Sequence, residues 1–417
     1  MHKSGIIIFL LIVFSLPVQA GFLIPMDSQQ KNHLKAYGLV YHILEKKEKL
    51  SILLNYRGGS FLYDGETVFE TQIKSRGVTI EFLSSAGVEK LRKREETGSF
   101  TSLNLQSAPR IAIYKPPSTL PWDDAVNMAL DYAEIPYTRI YNPEILQGQL
   151  KNYDWLHLHH EDFTGQFGKF FSFARNLQWY QQSRLKYEAM ASDLGFSRVA
   201  DLKKEVARNI QSFVANGGFL FAMCSSTDTI DIALAAQNID IVDPSLDRSP
   251  VTPDFNSKLD FSRTFAFQNF EVFTDPFVYE YSNIDINPQS TGILENEDVF
   301  ALFEFDAEID PIPSLLTQNH VRVIKGFLGQ TTAFVRDKIK PRITILGETP
   351  GTNRIKYIYG SYEKGFFSFY GGHDPEDYQH LVGDAPTNLD LHRNSPGYRL
   401  ILNNIFLPAA QNKKLKT

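Results

Sequence analysis

The chain has one cysteine in 417 residues, Cys224. No internal disulfide can form, so the fold must rest on packed apolar side chains and not on a cross-linked scaffold. Blocks of like charge are also missing. Apart from a mixed run at Lys90 to Glu96 and the lysines Lys413, Lys414 and Lys416, acids and bases are interspersed, and the net charge is −6. A nucleic-acid or anionic-membrane partner needs a basic stripe, and none is present. Beyond the N-terminal segment no stretch approaches the ~20 apolar residues of a spanning helix, so the protein is expected not to span a membrane. No repeat of fixed period and no low-complexity tract interrupts the chain.

What is present begins with MHKSGIIIFLLIVFSLPVQA: a short basic start, an apolar run from Ile6 to Leu16, and small residues before Ala20. This pattern predicts a secretory signal at 1–20, cleaved after Ala20, and an exported protein of periplasm or cell surface. With 43% hydrophobic and 13% aromatic residues, the remainder has ample core material.

Residues 21–107 read as an N-terminal α/β unit. FLIPM and LSILLNY are candidate strands around a helix through His33 and Tyr37 that Asp27 or Ser28 can cap. The turn Arg57-Gly58-Gly59-Ser60 lacks the spacing of a phosphate loop and reads as a tight turn. GVTIEFLSS is a third strand, the helix Val88 to Arg94 follows, and the polar stretch from Glu95 to Ser107 marks a boundary. From 108 to 417 the pattern restarts as strand, helix, strand, helix, strand: RIAIYK, WDDAVNMALDYAEI, YTRIY, NPEILQGQLKNY, DWLHLHH. This order predicts a mostly parallel, doubly wound sheet. The long helix Val199 to Ala215 and the strand FLFAM continue it, and Thr227 or Asp228 can cap the helix after Cys224. Residues 240–350 are rich in proline and alternating aromatics and read as a strand-rich insertion. At RIKYIYGSYEKGFFSFYGGHDPED the parallel pattern is expected to resume, as a hairpin-like pair ending in a glycine-rich turn, and SPGYRLILNNIFLPA reads as a closing helix.

Three predicted strands end in residues of catalytic type: His157 to Asp162, Cys224 to Ser226, and His373 to Glu376. Ligands of open α/β sheets bind outside the carboxyl ends of the strands, so the three clusters are expected to share one crevice. A thiol nucleophile at Cys224 needs a base, for which His373 is the candidate, and an acid beside the base, Asp374 or Glu376. Backbone N–H groups of Ser225 and Ser226 would suit an oxyanion. Cys224 can equally be a buried unreactive residue. On a strand His157 and His159 point to one face and His160 with Asp162 to the other, a geometry that chelates zinc or iron only if more ligands join. The alternative is imidazoles that hydrogen-bond to one another and to the loop. These residues, with Glu161, are read as substrate-binding, and neither a metal nor another cofactor is expected.

From Pro109 onward the order of elements, the turn GGFLFAMCSS and the turn FFSFYGGHDPE resemble the class I glutamine-amidotransferase-like fold, including its ThuA-like branch. In those amidotransferases the nucleophile turn is Gly-x-Cys-x-Gly and the base belongs to His-Pro-Glu. The resemblance places Cys224 and His373 in the nucleophile and base positions. Here the glycines flanking the cysteine are missing, with Ser226 in the second place, and His-Asp-Pro-Glu has one residue more. LIPMDSQQKNHLKAYGLVY, LNYRGGSF, YDWLHLHHEDFTGQ and GGFLFAMCSSTD resemble an exported Bacteroidota family labelled "asparagine synthetase B". The chain has neither a cysteine after Met1 nor a Ser-Gly-Gly-x-Asp-Ser pyrophosphate loop, so asparagine synthesis is not expected. Three functions follow as expectations: a cell-envelope binding or assembly protein with non-canonical or lost activity, whose partner is a small molecule or envelope protein; a Cys224–His373 hydrolase or amidase acting on a peptide, cell-wall amide or sugar derivative; and a metal-dependent hydrolase using the HxHHED cluster.

Overall fold

A computed structural model describes residues 19–98, 100–116, 124–285, 292–381 and 383–410. The apolar run of the signal segment and the C-terminal lysines lie outside these residues. Among the described residues no helix is long and apolar enough to cross a membrane.

β1 (Gln19–Ile24), β2 (Leu50–Leu54), β3 (Ser60–Tyr63), β4 (Glu81–Ser84) and β5 (Thr101–Leu105) form a first sheet in the order β4-β1-β3-β2-β5, antiparallel throughout. The polar stretch expected to be a boundary supplies β5, because TSLNL alternates: Thr101, Leu103 and Leu105 are buried while Asn104 is exposed. The turn at Gly58-Gly59 reverses β2 into β3 with φ of 77° and 85°. Helix His33–Glu45 is capped by Asn32, whose side chain accepts from Lys35 N, and not by Asp27 or Ser28. It is buried on almost every face because it lies between two layers.

The second sheet contains β6 (Ile111–Tyr114), β7 (Thr138–Ile140), β8 (Trp155–Leu158), β9 (Phe219–Met223), β10 (Val299–Leu302), β11 (Val323–Lys325), β12 (Phe334–Val335), β13 (Thr344–Glu348), β14 (Arg354–Tyr362) and β15 (Gly365–Tyr370). Its order is β11-β10-β13-β14-β15-β9-β8-β6-β7, with β12 paired to β14. The run β15-β9-β8-β6-β7 is parallel. The pairings of β10 to β14, and of β14 with β15, are antiparallel. The sheet is therefore mixed and not mostly parallel. Helices carry the chain back across the sheet between β6, β7, β8 and β9, whereas the two-residue turn after Tyr362 can only reverse direction. Four strands from 240–350, β10 to β13, extend and flank that antiparallel edge.

Both faces of this sheet are covered. On one side Ile113, Phe221 and Tyr357 join Tyr37 and Phe61 in a core shared with the first sheet. On the other, Leu156, Leu220 and Phe369 pack under Val206 and Ile210 of helix Val199–Ala215 and Ile230 of helix Ser226–Ala235. Burial on both sides explains why β8 and β9 read as apolar runs without alternation.

Candidate functional site

The parallel register aligns three strand ends. Leu158 of β8 pairs with Ala222 of β9, and Met223 pairs with Tyr370 of β15, so His159, Cys224 and the Gly371-Gly372-His373 turn emerge side by side. The joints are cross-bonded: Ser226 N donates to His159 O at 3.0 Å and Cys224 N to Tyr370 O at 3.3 Å. Ser226 Oγ accepts from Glu161 N at 2.9 Å, tying the β8 loop to the helix after Cys224. That helix starts at Ser226 behind Ser225, which makes no side-chain cap, so neither Thr227 nor Asp228 is its cap.

Cys224 has a φ of 50°, a conformation uncommon outside glycine, and is 2% exposed. Burial pushes its thiol above the ordinary range, although backbone N–H groups of Thr331, Ser225 and Gln330 bear on the sulfur. Cys224, His160 and His373 line one cavity of about 630 Å³. Leu328, Gly329 and Gln330 also line it, as do Phe173, Tyr279 and Leu381, whose side chains are exposed.

Behind the cavity lies an imidazole cluster. Ring centroids are 5.6 Å apart for His157–His159, 4.9 Å for His159–His160 and 4.5 Å for His159–His373. His380 stacks on His373 at 4.6 Å and pairs with Asp377 at 2.9 Å. These five residues are half of the ten histidines in the chain. Asp124 anchors the inner end. Its Oδ1 lies 3.1 Å from His159 Nδ1 and 3.4 Å from His157 Nε2, and it also caps helix Ala125–Ala133 by accepting from Val126 N and Asn127 N. Burial alone would raise the Asp124 carboxyl, but His159 and His157 hold it well below the usual carboxylate range. Burial lowers His157 in spite of Asp124, and burial with the neighbouring His159 and His373 lowers His160 strongly. The chain outline supplied only a cap signal for Asp124: an acid just before an amphipathic helix. Nothing local ties it to histidines, and the same is true of His380.

The other predicted residues are placed elsewhere. Asp374 Oδ2 accepts from Tyr398 Oη at 2.8 Å and Thr387 Oγ1 at 2.7 Å, and its Oδ1 from Glu376 N at 2.9 Å. Glu376 pairs with His392 at 3.0 Å. Glu161 forms a buried pair with Lys203 at 3.0 Å. Asp162 binds its own loop, accepting from Thr164 N at 2.7 Å and Gly168 N at 3.0 Å. The backbone N–H of Ser226 is taken by His159 O, so of the two proposed oxyanion donors Ser225 is the one that faces the thiol.

No family model matches the chain, and no curated protein matches it. Solved structures do. A cytoplasmic protein from Salmonella typhimurium is 10% identical at a TM-score of 0.34, covering 73% of this chain and 100% of its own. A second cytoplasmic protein from Salmonella typhimurium LT2 is 11% identical at 0.33, covering 72% and 99%. A GH42 beta-galactosidase is 12% identical at 0.28, and the match covers 68% of this chain and 30% of that one. Likeness at this level carries no statement about activity.

Proposed function

We propose that the chain is an exported cell-envelope protein that binds a small polar ligand in the Cys224 cavity, on an amidotransferase-like scaffold whose thiol-hydrolase machinery is not assembled. The observation that carries this reading is the commitment of both candidate acids. Asp374 is spent on Tyr398, Thr387 and Glu376 N, and Glu376 on His392. With both acids engaged elsewhere, neither is placed to orient His373 as a general base, and a thiol raised by burial is a poor nucleophile. The scaffold assignment is supported by the parallel order β7-β6-β8-β9-β15, which reverses at β6 as in doubly wound sheets with a ligand crevice at the switch point. Export is compatible with the fold, since cleavage after Ala20 leaves all three pairs that join β1 to β3, beginning at Phe22.

A second reading has one observation in its favour: Cys224 adopts a φ of 50° at a strand-to-helix turn beside His373, as a nucleophile would. It is a cysteine hydrolase or amidase acting on a peptide, cell-wall amide or sugar derivative. Iodoacetamide labelling against pH separates the two. The binding reading expects Cys224 to label no faster than a free thiol of pKa ~8.5 at pH 7, with no slowing in His373→Ala. Fast labelling that His373→Ala abolishes would establish the hydrolase instead.

A further inference from the structure

We propose that His159, His160 and His373 together hold one divalent transition-metal ion of the zinc class at the inner wall of the cavity, with one coordination position open to it. The inference rests on reading the cavity as a binding site, and names part of what is bound. One candidate nitrogen from each ring comes within 4.8 Å of the other two. Zinc–nitrogen bonds of ~2.0–2.1 Å in a tetrahedron require nitrogens about 3.4 Å apart, so small ring rotations close the site.

The protein has also built the support that such a site needs. A metal-ligating histidine usually gives its second nitrogen to a carboxylate, which fixes the tautomer and raises ligand basicity. His159 does this: Nδ1 faces Asp124 Oδ1 at 3.1 Å, and Nε2 is left buried with no hydrogen-bond partner in a residue that is 2% exposed. A buried nitrogen with no bond is costly unless something else occupies it, and a cation does so. His157 lies on the far side of Asp124: its Nδ1 is 3.1 Å from Phe221 O and its Nε2, also without a hydrogen bond, is 3.4 Å from Asp124 Oδ1. It belongs to a second, fully buried trio with Asp124 and His159, none of which lines the cavity, so an ion open to the cavity takes His160 and His373 instead. The chelating pair is therefore not the His157–His159 pair that strand alternation suggests, but two consecutive residues where β8 has ended, joined by one from the β15 turn. The stacked His380 ring, interplanar angle 4°, limits rotation of His373.

Three neutral nitrogen donors with a remote carboxylate suit zinc or cobalt over magnesium or calcium, which prefer oxygen. Three protein ligands and a free position are the pattern of metal sites that meet substrate, whereas structural sites are closed with four. His160 and His373 line the cavity, so the fourth position faces it, where water or a carbonyl or carboxylate oxygen of the ligand would bind.

The test uses the full mature chain, stripped with chelator and titrated with cobalt(II) chloride. One equivalent should bind and give the intense visible bands of four-coordinate cobalt. His160→Ala, at a partly exposed position, should stay folded by circular dichroism and lose the bands. His373→Ala should lose them too. Asp124→Asn should weaken binding roughly 10–100-fold without changing its stoichiometry. Absence of bands in the wild type, or full binding retained by a folded His160→Ala, overturns the proposal; the latter would move the ion to one of the two trios that lack His160, Asp124–His157–His159 or Asp377–His380–Asp384. Cobalt binding and thiol labelling are read separately. A reactive Cys224 refutes the binding reading while leaving this result to stand or fall on the cobalt spectrum.

Discussion

Two single residues show how much of the site depends on exact local geometry. Gly372 turns the chain from β15 toward His373 with a φ of 91°, and a Cβ there would lie 2.5 Å from the Phe327 ring and 2.8 Å from Lys356 Nζ. Gly372→Ala adds left-handed strain to that overlap and should lower unfolding free energy by at least about 2 kcal/mol, measured by urea denaturation. Asp231, fully buried on helix Ser226–Ala235, accepts from three consecutive backbone donors, Phe265 N at 2.6 Å, Ala266 N at 2.8 Å and Phe267 N at 2.9 Å. An amide has one acceptor oxygen where the carboxylate has two, so Asp231→Asn must turn an NH2 toward at least one of these donors. The expected loss is about 2–4 kcal/mol, again from the urea midpoint.

At the scale of elements, close approach of helices governs what can change. Gly38 lies in helix His33–Glu45, and a Cβ there would sit 1.7 Å from the Ala133 carbonyl oxygen at the end of helix Ala125–Ala133. Alanine is the better helix former by about 1 kcal/mol, so propensity predicts that Gly38→Ala stabilises. Contact with rigid backbone predicts the reverse, and should win: the helices must separate, exposing part of the core between the sheets. Thermal melts should show Gly38→Ala destabilised by several degrees, and a neutral or higher melting temperature would show that the helices can shift. Since helix Ala125–Ala133 begins at Asp124, a shift there should also disturb the histidine cluster.

For the whole molecule, the seam between the first sheet and the C-terminal helix is held by a buried cation. Arg399 of helix Pro396–Asn403 donates to Met26 O at 2.7 Å, Tyr37 Oη at 3.2 Å and Gly58 O. His33 and His320 stack beside it with centroids 4.2 Å apart. Burial, then the charge of Arg399, lowers His33 to about 4, and burial with His33 and Arg399 lowers His320 to about 3. The folded state therefore binds fewer protons than the unfolded chain. Its advantage is full above pH 6.5 and is lost as pH falls through about 4. For His33 the shift corresponds to about 3 kcal/mol. Asp231, raised to about 6 by burial in spite of Lys340 and its three donors, slopes the other way, so the informative quantity is the difference between variants. Urea titrations at pH 7.5 and pH 4.5 should show the wild type losing about 2.5 kcal/mol more than His33→Gln over that interval, most of the full shift. Equal losses would mean that His33 is not buried neutral.

The sequence by itself determined which segments run as strands and helices and which residues stand at their ends. FLFAM became β9 and Val199–Ala215 became a helix, because apolar runs, helical periodicity and terminating glycines act within a few residues, whereas the capping residues read from the sequence were not the ones used. For the same reason His159, His160, Cys224 and His373 were legible as strand-end residues. Tertiary structure decided everything that depends on partners distant in sequence. Strand order placed β8, β9 and β15 side by side and so gathered the histidines. The fold of 374–398 drew Asp374 to Tyr398 and Glu376 to His392. The Asp124 carboxylate met His159 only because a crossover helix begins beside β8. The β14–β15 hairpin is legible from its two-residue turn, but the joining of β10 to β13 to it and the pairing of β5 with β2 were hidden, since a strand's own pattern shows which face is buried but not which distant neighbour its backbone will bond, and that choice is made by the energy of the assembled sheet.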